Sequence, residues 1–242
     1  MCGRYYSTGD KKKIADAFRV KVPDELLIFP SYNVAPQTFQ PIIRLNDQGE
    51  REIVMAKWGL VPFWAKDSKQ AYSTINARAE TIATIAAYKE PFKKRRCLVP
   101  ASGFYEWMKL DKKNRQPYAI TVRGQDVIAF AGVWDSWQDP ETGFFLETFS
   151  IITTFPNELM HPENGPAIHD RMPVIVEPKN YERWLAETDV ANLPVDLLRP
   201  FPAELMKAWK VGKDVGNVRI DRPDLCDEIW YEPEPPQQAG LF

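Results

Sequence analysis

Alternation of apolar and polar positions at a period of two dominates this chain, and helical periodicity is confined to short stretches. The segments 41–45 and 52–58, joined by Asn46-Asp47-Gln48-Gly49, read as a β-hairpin. Strands are predicted at 96–99 and Gly103–Lys109 with a corner at Pro100, then at 118–122, 127–134 and 144–154, where β-branched and aromatic residues concentrate. The run 172–176 reads as a buried strand. Helical signals are brief: Thr8-Gly9-Asp10 caps an amphipathic stretch at Lys11–Phe18, 77–87 holds enough Ala, Glu and Ile for a helix, 157–160 gives one turn, and 179–187 a further helix. Residues 29–36 are a proline-punctuated loop, and 193–211 reads as short helices between prolines. No internal repeat or linker divides the chain. The pattern predicts a single α+β domain over 1–231, followed by a flexible Pro-rich tail, 232–242.

Composition narrows the function classes. The 242 residues carry 31 Lys+Arg against 33 Asp+Glu, a net charge of −2, which argues against a uniformly basic nucleic-acid coat but leaves room for a local basic cleft. No apolar stretch approaches the roughly 18 residues of a membrane span, and no apolar region follows the N-terminus as in a signal peptide. The expected location is the cytoplasm, as a monomer. Cys2, Cys97 and Cys226 make no disulfide framework, and no Cys or His spacing suits a metal, so no metal and no cofactor are expected.

Four segments hold candidate chemistry. Cys2 is one residue from the N-terminus. Once Met1 is removed, its α-amine and thiol form a 1,2-aminothiol, which condenses with an aldehyde to an imine and closes to a thiazolidine; the alternative is a packed cysteine. Asn76, Arg78 and Glu80 lie in Thr74-Ile75-Asn76-Ala77-Arg78-Ala79-Glu80-Thr81, read either as a ligand-facing junction or as a helix N-terminus. Glu106 interrupts the aromatic run Gly103-Phe104-Tyr105-Glu106-Trp107; strand alternation puts it on the face of Phe104, as a desolvated acid–base group or an outward-facing acid. His169, in Ile168-His169-Asp170-Arg171-Met172-Pro173, is one of two histidines, at a strand mouth or in a structural role.

Together with Met1-Cys2-Gly3-Arg4-Tyr5, Tyr32-Asn33-Val34-Ala35-Pro36, Trp58-Gly59-Leu60-Val61-Pro62 and Arg96-Cys97-Leu98-Val99-Pro100, these blocks resemble the SRAP family, the SOS-response-associated peptidases that process abasic sites. The resemblance runs in order from residue 1 to about residue 220. It implies a curved, barrel-like, mostly antiparallel sheet with flanking short helices and a groove for single-stranded DNA containing abasic sites. It further implies self-processing at Met1-Cys2, a covalent thiazolidine crosslink through Cys2, a lyase side activity, and a site completed by Asn76, Glu106 and His169. Arg4, Arg78 and Arg171 correspond to positions near the DNA backbone, with Trp64 as an unstacking wedge. Two departures stand out: Phe63-Trp64-Ala65 supplies one Trp where many bacterial members have two in tandem, and Ala83-Thr84-Ile85-Ala86 lacks an arginine that some members carry. The alternatives are a cysteine peptidase acting on other proteins and a non-catalytic single-strand-binding module. The tip Gln238-Ala239-Gly240-Leu241-Phe242 is similar to sliding-clamp-docking peptides, with Gln238, Leu241 and Phe242 as the contacts.

Overall fold

A computed structural model describes residues 2–230. The expected tail 232–242, with its clamp-docking residues Gln238, Leu241 and Phe242, lies outside the described residues, as does Met1. Thirteen strands form among the described residues: β1 (Tyr5–Ser7), β2 (Ser31–Val34), β3 (Phe39–Leu45), β4 (Arg51–Trp58), β5 (Asn76–Arg78), β6 (Arg96–Ala101), β7 (Gly103–Lys109), β8 (Arg115–Val122), β9 (Ile128–Gln138), β10 (Phe145–Thr154), β11 (Met172–Pro173), β12 (Ile175–Val176) and β13 (Met206–Lys210). The α-helices are α1 (Lys11–Phe18), α2 (Ala86–Lys94) and α3 (Tyr181–Leu185).

The strands make two sheets. In one, β10, β4, β3, β6 and β9 pair in sequence and β9 pairs back on β10, closing a five-stranded ring to which β5, β11 and β12 attach. The other is an open antiparallel sheet ordered β13-β8-β7-β1-β2. Closure leaves the ring without a free edge, and successive residues of its strands alternate between two cores. Ile42, Val99, Phe130 and Ile151 join the apolar cluster shared with Cys2, Tyr5 and Phe104 of the open sheet. Their neighbours Ile43, Leu98, Ala131 and Ile152 pack with residues of the three helices. Both faces of the ring are therefore buried, and the candidate chemistry lies where the two sheets meet.

The helix at Lys11–Phe18 forms as predicted: Asp10 accepts the Lys13 amide at 2.8 Å, Ile14 and Phe18 bury at i, i+4 spacing, and Arg19 ends it in the left-handed region at φ 50°. The predicted helix at 77–87 does not form. Asn76–Arg78 pairs parallel with β10, Asn76 opposite Ile151 and Arg78 opposite Thr153, and the helix starts only at Ala86. Nor does Pro100 turn the chain; it stays inside β6, where pairing with β3 involves only Leu98 and a missing N–H is tolerated. The predicted strand 172–176 splits at Val174 into β11 on β10 and β12 on β9. Two strands arise where loops or helices were expected, β2 within 29–36 and β13 within 193–211.

Candidate active site at the junction of the two sheets

Cys2 lies three residues ahead of β1, fully buried in the apolar cluster beside Tyr5 and Phe104. Tyr5 packs in a tilted arrangement, 5.3 Å between ring centroids, against Trp58, whose indole N–H donates to the Ile75 carbonyl at 2.8 Å. Backbone pairing fixes the approach: the Tyr105 amide donates to the Arg4 carbonyl, and Tyr5 sits opposite Phe104. Burial, with the charge of Glu106 as the second cause, pushes the Cys2 thiol well above the usual cysteine range. The thiol is thus neutral before reaction, and Glu106 is the titratable side chain that acts on it most strongly.

Glu106 occupies β7 between Phe104 and Met108, which both face the Cys2 cluster. Alternation places it on the expected face, and that face is covered by the ring rather than open to water; Glu106 is 2% exposed. Burial pushes its carboxyl up to about 8, and among the described residues Oε1 has no hydrogen-bond partner. Oε2 lies 3.7 Å from Nε2 of His169. On the other side of that ring, Nδ1 accepts the Arg171 amide at 3.0 Å. An acceptor at Nδ1 leaves the proton of the neutral imidazole on Nε2, facing Glu106. Burial lowers the His169 pKa, which favours this neutral form. Cys2, Glu106 and His169 are one cluster.

Asn76 reaches the same region from the other sheet. It is buried, its Nδ2 lies 3.5 Å from the Ile151 carbonyl, and its Oδ1 has no hydrogen-bond partner. Ile151 and Ile75, its neighbours, pack in the cluster that holds Cys2. A buried amide oxygen left open costs about 1–3 kcal/mol unless a ligand satisfies it, and among the described residues Glu106 Oε1 and the Tyr5 hydroxyl are likewise buried without a hydrogen-bond partner in this region.

The four expected DNA contacts fall into different environments. Arg78 is exposed at the end of β5, and no hydrogen bond or ion pair engages its guanidinium among the described residues. Arg4 is half-buried: its Nη1 donates to Asn33 Oδ1 and the Val215 carbonyl, both at 2.8 Å. Arg171 is committed elsewhere. It forms a bidentate pair with Glu80 at 2.9 and 3.0 Å and donates to the Thr153 carbonyl at 2.7 Å. This fork ties the His169 segment to the Asn76 segment and, against the burial that would raise it, holds the Glu80 carboxyl below the usual carboxylate range.

Trp64 is 49% exposed and Phe63 beside it 58%, on a loop that is rigidly backed. The Phe63 amide donates to buried Asp135, the Val61 amide to Thr148, and the Trp137 indole to the Ala65 carbonyl. Gly59 starts the loop at φ +132°, where a Cβ would lie 2.4 Å from the Ala71 carbonyl oxygen. Sequence reasoning missed Phe63 and Asp135. The signal for Asp135 is the one that picked out Glu106: an acid inside an aromatic strand, here Trp134-Asp135-Ser136-Trp137.

Residues 1–218 match the sequence profile of the family described as SOS response associated peptidase (SRAP). The abasic site processing protein YoqW of Bacillus subtilis (strain 168) is 40% identical over 234 residues, covering 94% of this chain and 99% of that protein. The abasic site processing protein HMCES of Gallus gallus is 34% identical, covering 83% of this chain and 66% of that protein. A crystal structure of a protein from Bacteroides thetaiotaomicron superposes with a TM-score of 0.83 at 30% identity, over 95% of this chain and all of that one.

Proposed function

The chain belongs to the SOS response associated peptidase family, and from that premise we propose that it processes abasic sites in single-stranded DNA by capturing them covalently on Cys2. The observation that carries the reading is the junction of buried Cys2 and buried Glu106 with half-buried His169, in which an acid with its pKa near 8 stands 3.7 Å from the imidazole and acts electrostatically on the thiol.

An abasic sugar exchanges between a closed hemiacetal and an open aldehyde. The Nε2–H of His169 protonates the ring oxygen as the sugar opens. With Met1 removed by the protein itself, the free α-amine of Cys2 attacks C1′ to give a carbinolamine. Glu106, poised near neutral pH, accepts the proton the amine sheds and returns it to the departing hydroxyl, so that water leaves and an imine forms. The thiol then adds to the imine carbon while its proton passes to nitrogen. One aldehyde and one aminothiol thereby become a thiazolidine and one water, with no oxidant or reductant. Asn76 Oδ1, without a hydrogen-bond partner among the described residues, accepts from the amine and orients it. The imine also permits β-elimination at the sugar, a lyase side activity that ring closure suppresses. Exposed Phe63 and Trp64 hold the lesion unstacked, and Arg78 binds phosphate.

Incubation with an oligonucleotide carrying one abasic site, followed by a denaturing gel, tests this. Wild type yields a heat-resistant adduct and Cys2→Ala yields none. Cys2→Ser keeps the amine but not the thiol, leaving only reversible imine. An undiminished adduct from Cys2→Ala overturns the mechanism.

A further inference from the structure

Beyond the Arg171–Glu80 fork, and not among the groups used so far, a cavity of about 180 Å³ opens to the surface. Its walls come from Ile82, Phe92, Phe155, Val195 and Leu198, and Glu80 stands among them. Ile82 and Phe92 are fully buried and form an apolar floor, whereas Phe155 is 60% exposed although the Arg171 guanidinium lies 5.4 Å from its ring centroid. Volume, an exposed aromatic ring and apolar walls suit a single planar heterocycle.

Position says which one. Phe155 directly follows β10, four residues beyond Ile151, the register partner of Asn76. At about 3.3 Å per strand residue, the cavity lies roughly 13 Å along that strand from the catalytic amide. Arg78, exposed and unengaged, sits between them, opposite Thr153. The order along this edge is catalytic amide, unpaired cation, aromatic pocket. A nucleic-acid strand presents lesion, phosphate and next bases in that same order. Both Glu80 oxygens accept from Arg171 and the carboxylate also accepts from its own backbone amide, which leaves it one further lone pair. A carboxylate at that place accepts from an exocyclic amine, which cytosine, adenine and guanine carry and thymine lacks.

We propose that this cavity is a flanking-base subsite, which takes an amine-bearing nucleobase one or two nucleotides from the abasic site, stacked on Phe155 and bonded to Glu80. The proposal rests on the function above and adds a sequence preference to it.

The test measures adduct formation at subsaturating DNA, with oligonucleotides in which each nucleotide flanking the lesion is replaced in turn by a baseless tetrahydrofuran spacer. One position responds, slowing capture at least about fivefold, the worth of one stacked base; cytosine, adenine or guanine restores the rate there and thymine does so incompletely. In Phe155→Ala the dependence disappears, and in Ala83→Trp, which fills the mouth from an exposed position, it disappears without loss of a core contact. Adduct formed equally on every substrate, or a dependence that survives both substitutions, overturns the subsite while leaving the capture chemistry standing. Anisotropy titration of undamaged single strands gives a readout independent of that chemistry: Phe155→Ala binds more weakly than wild type if the subsite exists, and equal binding overturns it. Absence of any adduct from wild type strikes the function itself.

Discussion

Glu106 is held between Phe104 and Met108 in a place that favours its neutral form. An unfolded glutamate loses its proton near pH 4.5, whereas the folded one keeps it up to about 8. Between those values the native state binds more protons than the unfolded one, so this residue's contribution to stability is full below pH 4.5 and drains away as pH rises through 8. Glu106→Gln removes that penalty. The variant is expected to match wild type in Tm near pH 4 and to exceed it by several degrees at pH 8, at about 2–4 °C per kcal/mol for a chain of this size. It is also expected to slow adduct formation by about 10²-fold or more, as loss of a general acid–base group does. Thermal melts across pH paired with single-turnover rates check both; a variant no more stable at pH 8 would show that the carboxyl carries no such burden. Oε1 of Glu106 and Oδ1 of Asn76 share one condition, burial without a hydrogen-bond partner among the described residues, and on the proposed chemistry the stability forgone at both is recovered when the sugar binds.

At the scale of elements, the loop 59–67 depends on a strand it does not belong to. Asp135 of β9 accepts the amides of Phe63 and Ser136 and pairs with Arg95 at 3.2 Å, although burial raises its own pKa. Asp135→Asn is expected to cost about 1–3 kcal/mol, the value of a buried hydrogen bond left unmade. It should also weaken binding of undamaged single strands through a loosened Phe63-Trp64 loop, while capture at saturating DNA stays near the wild-type rate. Denaturant melts and titrations separate the two effects, and a loss of capture at saturation would contradict the assignment. Such cross-element ties mark the limit of what was legible in the chain. Helix α1 could be read because its cap, apolar spacing and stop all lie within ten residues. The hairpin of β3 and β4 could be read for the same reason. The strand at Asn76–Arg78 could not, because Ala and Glu favour helix locally and only pairing with β10, more than seventy residues away, overrides them. Cys2, Glu106 and His169 were legible as chemically unusual residues in unusual places. The Arg171–Glu80 fork was not, since neither residue's position announces its partner.

For the molecule as a whole, net charge says little about affinity for DNA. Arg171 is occupied by Glu80, which leaves Arg78 and the free side of Arg4 to meet phosphates. Two phosphates on a single strand give a log–log salt slope of about −1.4, at ~0.7 each. Arg78→Ala should make it shallower by about half. A slope near −2 would mean that Arg171 leaves Glu80 when DNA binds, and a slope of zero that no cation is engaged.

The halves of the site are carried by different sheets: Glu106 lies in the open sheet and Cys2 leads into it, whereas Asn76 lies on a strand attached to the closed ring and His169 leads into another. Neither sheet alone holds an amine, a proton donor and an orienting amide together. On the proposed chemistry, reactivity toward the lesion is a property of the docked pair, and a chain with one sheet formed is expected to be inert as a capturing agent. In urea, the loss of adduct formation should coincide with the loss of the fluorescence of the buried tryptophans, Trp58 and Trp184 among them, giving a single transition by both probes. Capture that outlasts the spectroscopic transition would show that the chemistry survives without the junction.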